Sequence, residues 1–179
     1  RNLLNYGYGI KGFALSMIET ALELTEDRLD GTGNRQVVEL GKAMLARPVE
    51  PLPGVAEVLQ ELSGAFDLML ITKGDLFDQE TKLAKSGLGG HFSKVEIVSE
   101  KDRAIYAAIL ERHGIPPETF TMVGNSVKSD ILPVLELGGR AVHIPYHVTW
   151  AHEVVTPPAD ARFPVLGSIR ELPALLAGW

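Results

Sequence analysis

Cysteine is absent from this 179-residue chain. Disulfide frameworks, thiolate metal sites and cysteine nucleophiles are excluded with it, and a reducing, cytoplasmic setting is the expectation. No apolar run approaches the roughly 18 residues that a membrane-spanning helix requires, so no membrane partner is expected. Positive charge is in deficit. There are 17 Lys+Arg against 23 Asp+Glu, a formal net charge of −6. Nucleic-acid binders usually present a basic surface, and none is expected here. A few local donors can still bind a phosphate, because screening confines the global charge to long range. Several motifs are also missing: the P-loop G-x-x-x-x-G-K-[ST], the zinc-binding H-E-x-x-H and the nucleophile elbow G-x-S-x-G. The five histidines (His91, His113, His143, His147, His152) include no i,i+4 pair. His143 lies in a predicted strand and reads as a buried, paired residue. The chain opens on Arg1, with no signal-peptide pattern.

What is present is ordinary in bulk and patterned in detail. Hydrophobic residues make up 45% and charged residues 22%, as in globular domains. The length suits one domain, or one domain plus a small accessory unit. Residues 1–50 read as helical. Apolar residues at mixed i+3 and i+4 spacings predict a helix over 10–29, broken by Gly31, Gly33 and Asn34, and a second over 36–45. Pro48, Pro51 and Pro53 then mark a boundary. From 53 onward the pattern alternates. Helices are predicted over 55–62, 76–86, 102–113, 129–137 and 168–176. Strands are predicted over 66–71, 95–98, 120–123 and 141–144. Such alternation implies an α/β fold, a Rossmann-like parallel sheet with helices on both faces. Sites in such folds lie beyond the carboxyl ends of the strands.

Each strand tip therefore merits inspection. The first ends Ile71-Thr72-Lys73-Gly74-Asp75. A hydroxyl followed by glycine can present Oγ and backbone N–H groups to an oxyanion; the plainer reading is a turn capped by Asp75. The second ends Val98-Ser99-Glu100-Lys101-Asp102, where Lys101 can neutralise a phosphate or belong to a solvated charge cluster. The third ends Gly124-Asn125-Ser126-Val127-Lys128-Ser129-Asp130. Its oxygens suit Mg²⁺, while Asn125 as a turn residue and Ser129 or Asp130 as a helix cap is the competing reading. The fourth ends Ile144-Pro145-Tyr146-His147, with Thr149, Trp150, His152 and Glu153 following. It is either a pocket lining or a loop packed by Trp150.

Taken together, a Thr, a Lys and a Gly-X-Ser…Asp loop after successive strands resemble the haloacid dehalogenase superfamily. Ile71-Thr72 looks like its second motif, Lys101 like its third, and the 124–130 loop like its fourth. The resemblance covers roughly 53–145. It implies that residues 1–50 are a helical cap and 51–179 the α/β core. It also implies phosphoryl transfer through an aspartyl-phosphate, with Mg²⁺ as cofactor and a small phosphorylated molecule as substrate. Thr72 and Lys101 would then be catalytic. Thr72, Lys73, Gly74, Asn125 and Ser126 would bind the phosphate, and Asp130 with Asn125 the metal. The roles are physically sensible, since fixed donors and a cation stabilise charge on the transferring group.

Two departures stand out. The fourth motif commonly opens Gly-Asp, whereas here it opens Gly124-Asn125, which keeps a metal-independent 2-haloacid dehalogenase in view. The first motif, Asp-X-Asp-X-Thr after a strand, is missing. Its nearest match, Asp27-Arg28-Leu29-Asp30-Gly31-Thr32, follows a helical pattern, and Asp30-Gly31-Thr32 reads as a helix-terminating turn. The expectation is a native protein with a preceding strand that carries the nucleophile, the 179 residues being inactive alone. A non-catalytic phosphate- or metabolite-binding module is the alternative. One further string, Gly7-Tyr8-Gly9-Ile10-Lys11-Gly12, matches the dinucleotide fingerprint G-x-G-x-x-G. That fingerprint requires a preceding strand, and residues 1–6 make a poor one. Tyr6, Tyr8 and Lys11 are placed to help choose substrate if the cap reading holds.

Overall fold

Strands and helices alternate after residue 54, as the periodicities require. The structure, a computed structural model, describes residues 2–148 and 150–179; Arg1 and Thr149 lie outside the described residues. Three helices come first: α1 (Asn2–Tyr6), α2 (Ile10–Leu24) and α3 (Gly31–Ala46). The order then runs α4 (Val55–Leu62), β1 (Met69–Lys73), α5 (Leu76–Ser86), β2 (Lys94–Val98), α6 (Arg103–His113), β3 (Thr121–Gly124), α7 (Leu132–Leu135), β4 (Arg140–His143) and α8 (Leu172–Leu176). β1 and β2 pair in parallel, from Met69 opposite Lys94 to Lys73 opposite Val98. β3 and β4 also pair in parallel, from Thr121 opposite Arg140 to Gly124 opposite His143. Parallel neighbours need crossover connections, and α5 and α7 supply them. This is the expected Rossmann-like α/β class. No helix among the described residues is long and apolar enough to cross a membrane.

The chain divides into two compact units. The first comprises Arg1–Pro51 and Met69–Ser99, the second Leu52–Leu68 and Glu100–Trp179. In the first, α2 and α3 pack on one another, with Gly41 beside Ala14. α5 starts on Asp75, whose carboxylate accepts the Asp78 N–H at 3.0 Å, and stops at Gly87 in the left-handed conformation. In the second, Val58 and Leu62 of α4, Val142 of β4 and Leu172 of α8 form a buried cluster. Tyr106, Ile109 and Leu110 bury one face of α6.

Several local expectations shift. The 10–29 helix ends at Leu24, because Glu26 and Asp27 take positive φ. Asp30 begins a helix rather than ending one. Its carboxylate accepts the Gly33 N–H at 2.7 Å, and this cap carries Gly31 and Gly33 into α3 despite their low propensity. The first strand starts at Met69, since Phe66 is half exposed, and runs on to Lys73 along β2. The 129–137 helix is instead a π-helical turn, Val127–Ile131, leading into α7. Its cap is Ser126, whose hydroxyl accepts the Ser129 N–H at 3.0 Å. The dinucleotide alternative loses its context, because Gly7–Gly9 joins two helices and no strand precedes it.

Candidate active site

The Thr72 tip belongs to the first unit and is built by β1 and the start of α5. Thr72 Oγ1 donates to Gln79 Oε1 at 2.9 Å. Lys73 places its ammonium 4.2 Å from the centre of the Tyr8 ring. Gly74 has φ +154, a conformation that L side chains rarely adopt, and a Cβ there would meet Gln79 Nε2 at 2.8 Å. Its N–H donates to Val98 O at 3.0 Å. Gly74 therefore contributes bare space and not a free donor. Asp75 accepts an ion pair from Lys11 at 2.9 Å. The Lys11 ammonium, and then the Asp78 N–H, hold the Asp75 carboxyl below the usual carboxylate range.

The Lys101 and Asp130 tips belong to the second unit, and the fold joins them. Lys101 Nζ lies 2.8 Å from Asp130 Oδ1, with side chains only 12% and 6% exposed. The other carboxylate oxygen, Oδ2, accepts the Ser126 N–H at 2.9 Å. A Cβ at position 124 would collide with this carboxylate, which explains glycine there. Ser126 is buried and fully engaged. Besides that N–H and the cap bond, its hydroxyl donates to Glu153 Oε2 at 2.5 Å, as does the Ser129 hydroxyl at 2.5 Å. Asn125 is exposed, and its carbonyl accepts from His143 Nε2 at 3.1 Å. His143 also meets Phe163 edge-on at 6.2 Å. Tyr106 is 0% exposed, and its hydroxyl has no hydrogen-bond partner among the described residues. Burial, and then the nearby Asp130 charge, push its phenol upward.

A family model of haloacid dehalogenase-like hydrolases matches residues 6–138. The chain belongs to that family. It is 42% identical to a haloacid dehalogenase-like family hydrolase of known structure from Xanthomonas campestris, with a TM-score of 0.88 over 99% of this chain and 72% of that one. It is 28% identical to the pyrimidine 5'-nucleotidase YjjG of Escherichia coli, over 88% of this chain and 73% of that protein. A 2-haloacid dehalogenase from Pseudomonas syringae shares the fold at 21% identity, with a TM-score of 0.62 over 87% of this chain and 67% of that one.

For the Mg²⁺ that the family resemblance implies, the donors in this hydrolase chain are sparse. No group of three or more Asp, Glu, His or Cys among the described residues is placed to hold a metal ion. Asp130 nevertheless offers a buried carboxylate with two of its four acceptor positions taken. A single such carboxylate is compatible with Mg²⁺, which keeps several waters and takes few protein ligands.

Two polar residues escaped the sequence reading of roles. Glu153 sits in the loop after β4, where Tyr146 and Trp150 remain exposed, yet it turns in to hold Ser126 and Ser129. Gln79 lies four residues past the Asp75 cap, and helical side chains lean toward the N-terminus. That lean is the signal that would have pointed it at Thr72. A groove of about 560 Å³ along α5 and β2, lined by Leu76, Leu83, Val95 and Ile97 among others, contains none of the predicted site residues.

Proposed function

We propose that this hydrolase is a Mg²⁺-dependent phosphomonoesterase acting on a small phosphorylated metabolite. The observation that carries the reading is the buried Lys101–Asp130 pair at 2.8 Å, seated on the bare Gly124 backbone. A buried ion pair does little for net stability compared with apolar packing. Its placement at a strand tip, beside a π-helical turn of the kind often found at functional sites, supports a role in handling charge.

In this reading Asp130 and Asn125 hold the cation, and Lys101 pairs with Asp130 and offsets negative charge on the phosphoryl group. Mg²⁺, when bound, would polarise the phosphoryl oxygens. Thr72 donates to the phosphoryl group, and Lys73 adds positive charge at the same tip. Ser126 shapes the loop, since its polar groups are spent within it. Residues 1–50 serve as the cap that selects substrate. The Asp-X-Asp-X-Thr string does not occur in the 179 residues, so the roles proposed are those of donors and charges and not of the nucleophile.

The test is phosphate release from a panel of esters by the full-length protein with Mg²⁺, beginning with nucleoside monophosphates because of the similarity to the nucleotidase. Loss of release with EDTA and with Asp130→Ala is the expected result. Halide release from 2-haloacids that survives EDTA would replace this reading with the dehalogenase one.

A further inference from the structure

We infer that Gln79 is a positioning residue for Thr72, its side-chain amide setting whether the Thr72 proton is held inside the protein or offered to an anion. This rests on the phosphatase reading above. A hydroxyl has one proton and two lone pairs. Thr72 spends that proton on Gln79 Oε1 at 2.9 Å. In this arrangement the oxygen can only accept from other groups, and a phosphoryl oxygen facing it would meet lone pairs. For Thr72 to donate to a phosphoryl group, its bond to Gln79 must change.

Glutamine is suited to that change. Its amide carries an acceptor on one side and two donors on the other, in nearly the same shape. The last torsion of the side chain is broad and roughly two-fold. Turned by about 180° about that torsion, Nε2 donates to Thr72 Oγ1, and the Thr72 proton is released toward the anion. A carboxylate at this position could only accept, and a thioether could do neither well.

The geometry holds the amide where this matters. The Gln79 N–H donates to Asp75 O at 3.0 Å in the first turns of α5. Its side chain leans back over the strand tip. There it occupies the space beside Gly74 that a side chain would fill: a Cβ at 74 would meet Nε2 at 2.8 Å, and Cγ and Cδ at 3.2 Å each. Bare backbone on one side and the Thr72 hydroxyl on the other thus confine the amide, so that exchange of its two ends is the simplest motion left to it.

The experiment uses the full-length protein, with Gln79→Glu and Gln79→Met each made with Thr72 intact and with Thr72→Val. The readouts are the orthophosphate dissociation constant, kcat/KM for p-nitrophenyl phosphate, and thermal melting. With Thr72 intact, Gln79→Glu is expected to weaken orthophosphate binding and kcat/KM by about 100-fold, the usual scale for losing one oriented donor. Gln79→Met should lose only about 10-fold, because the proton is free but no longer aimed. In the Thr72→Val background both effects should shrink to about threefold or less, because residues acting as a unit are not additive. An equal loss from Gln79→Glu in both backgrounds would show plain charge repulsion and overturn the role. So would equal losses from Glu and Met, which would mean packing alone. A wild-type protein that neither binds orthophosphate nor cleaves any ester would overturn the phosphatase reading itself.

Discussion

The two strand-tip regions handle polarity in opposite ways. At Thr72, in the first unit, one neutral hydrogen bond holds a half-buried hydroxyl. At Asp130, in the second, a cation, a backbone N–H and a facing glycine fix a buried carboxylate. A neutral hydrogen bond contributes about 1 kcal/mol net and can exchange partners. A buried ion pair costs about 3–5 kcal/mol to break from one side, because the survivor is left uncompensated. The contrast is between an exchangeable hydrogen bond in one unit and a fixed charge in the other.

The sharpest way to break that contrast is Lys101→Met. It should destabilise by about 3–5 kcal/mol, read from the urea midpoint. Lys101→Met with Asp130→Leu should recover most of that stability but no phosphate release. A small loss from the single variant would mean that Asp130 is not held by charge. Thr72→Ala should do the reverse, costing about 1 kcal/mol or less in stability while lowering phosphate release about 100-fold. If the two variants destabilise alike, the contrast fails.

Between these lies Gly74→Ala, expected to cost about 1–3 kcal/mol, since its φ of +154 is unfavourable for a side chain and Gln79 fills the space. Its melting temperature and its phosphate affinity should fall together, because the new methyl displaces the amide from Thr72.

The smallest effects are pH limits, and they point opposite ways. The Asp75 carboxyl is depressed chiefly by Lys11, so the folded group contributes stability above its unfolded value of 3.8 and loses it as pH falls below that. The Lys11 and Asp75 side chains are 53% and 32% exposed, so solvent screens the pair, and the slope of melting temperature against pH should be slight and vanish in Asp75→Asn. The Tyr106 phenol is raised, chiefly by burial. Its contribution is present below the unfolded value of about 10 and lost as pH rises past it. Tyr106→Phe should remove that alkaline loss and leave neutral-pH stability unchanged or higher, because no hydrogen bond among the described residues is sacrificed.

Much of the fold was legible because its signals are local. The 55–62 and 76–86 helices form as their periodicities require, and Gly87 and Gly114 stop α5 and α6 in the left-handed conformation. The tips were legible too, since Thr72, Lys101 and Asp130 each follow a short apolar run. Errors gathered where a nonlocal or side-chain bond overrides propensity. The Asp30 carboxylate turned two glycines into a helix start, and the Ser126 hydroxyl with Glu153 wound the next turn into a π-helical one. Strand ends moved because pairing, and not hydrophobicity, decides how far a strand extends.

By itself the sequence determined the α/β alternation, the exclusion of thiol chemistry, and which residue types stand at each tip. Only the tertiary structure decided which of their polar groups are already spent. Gly74 gives its N–H to Val98, Ser126 gives its N–H to Asp130 and its hydroxyl proton to Glu153 while accepting the Ser129 N–H, and Thr72 gives its proton to Gln79. The reason is physical. Periodicity and capping are written over a few neighbouring residues, whereas each donor has a fixed number of protons, and folding chooses which acceptor receives them.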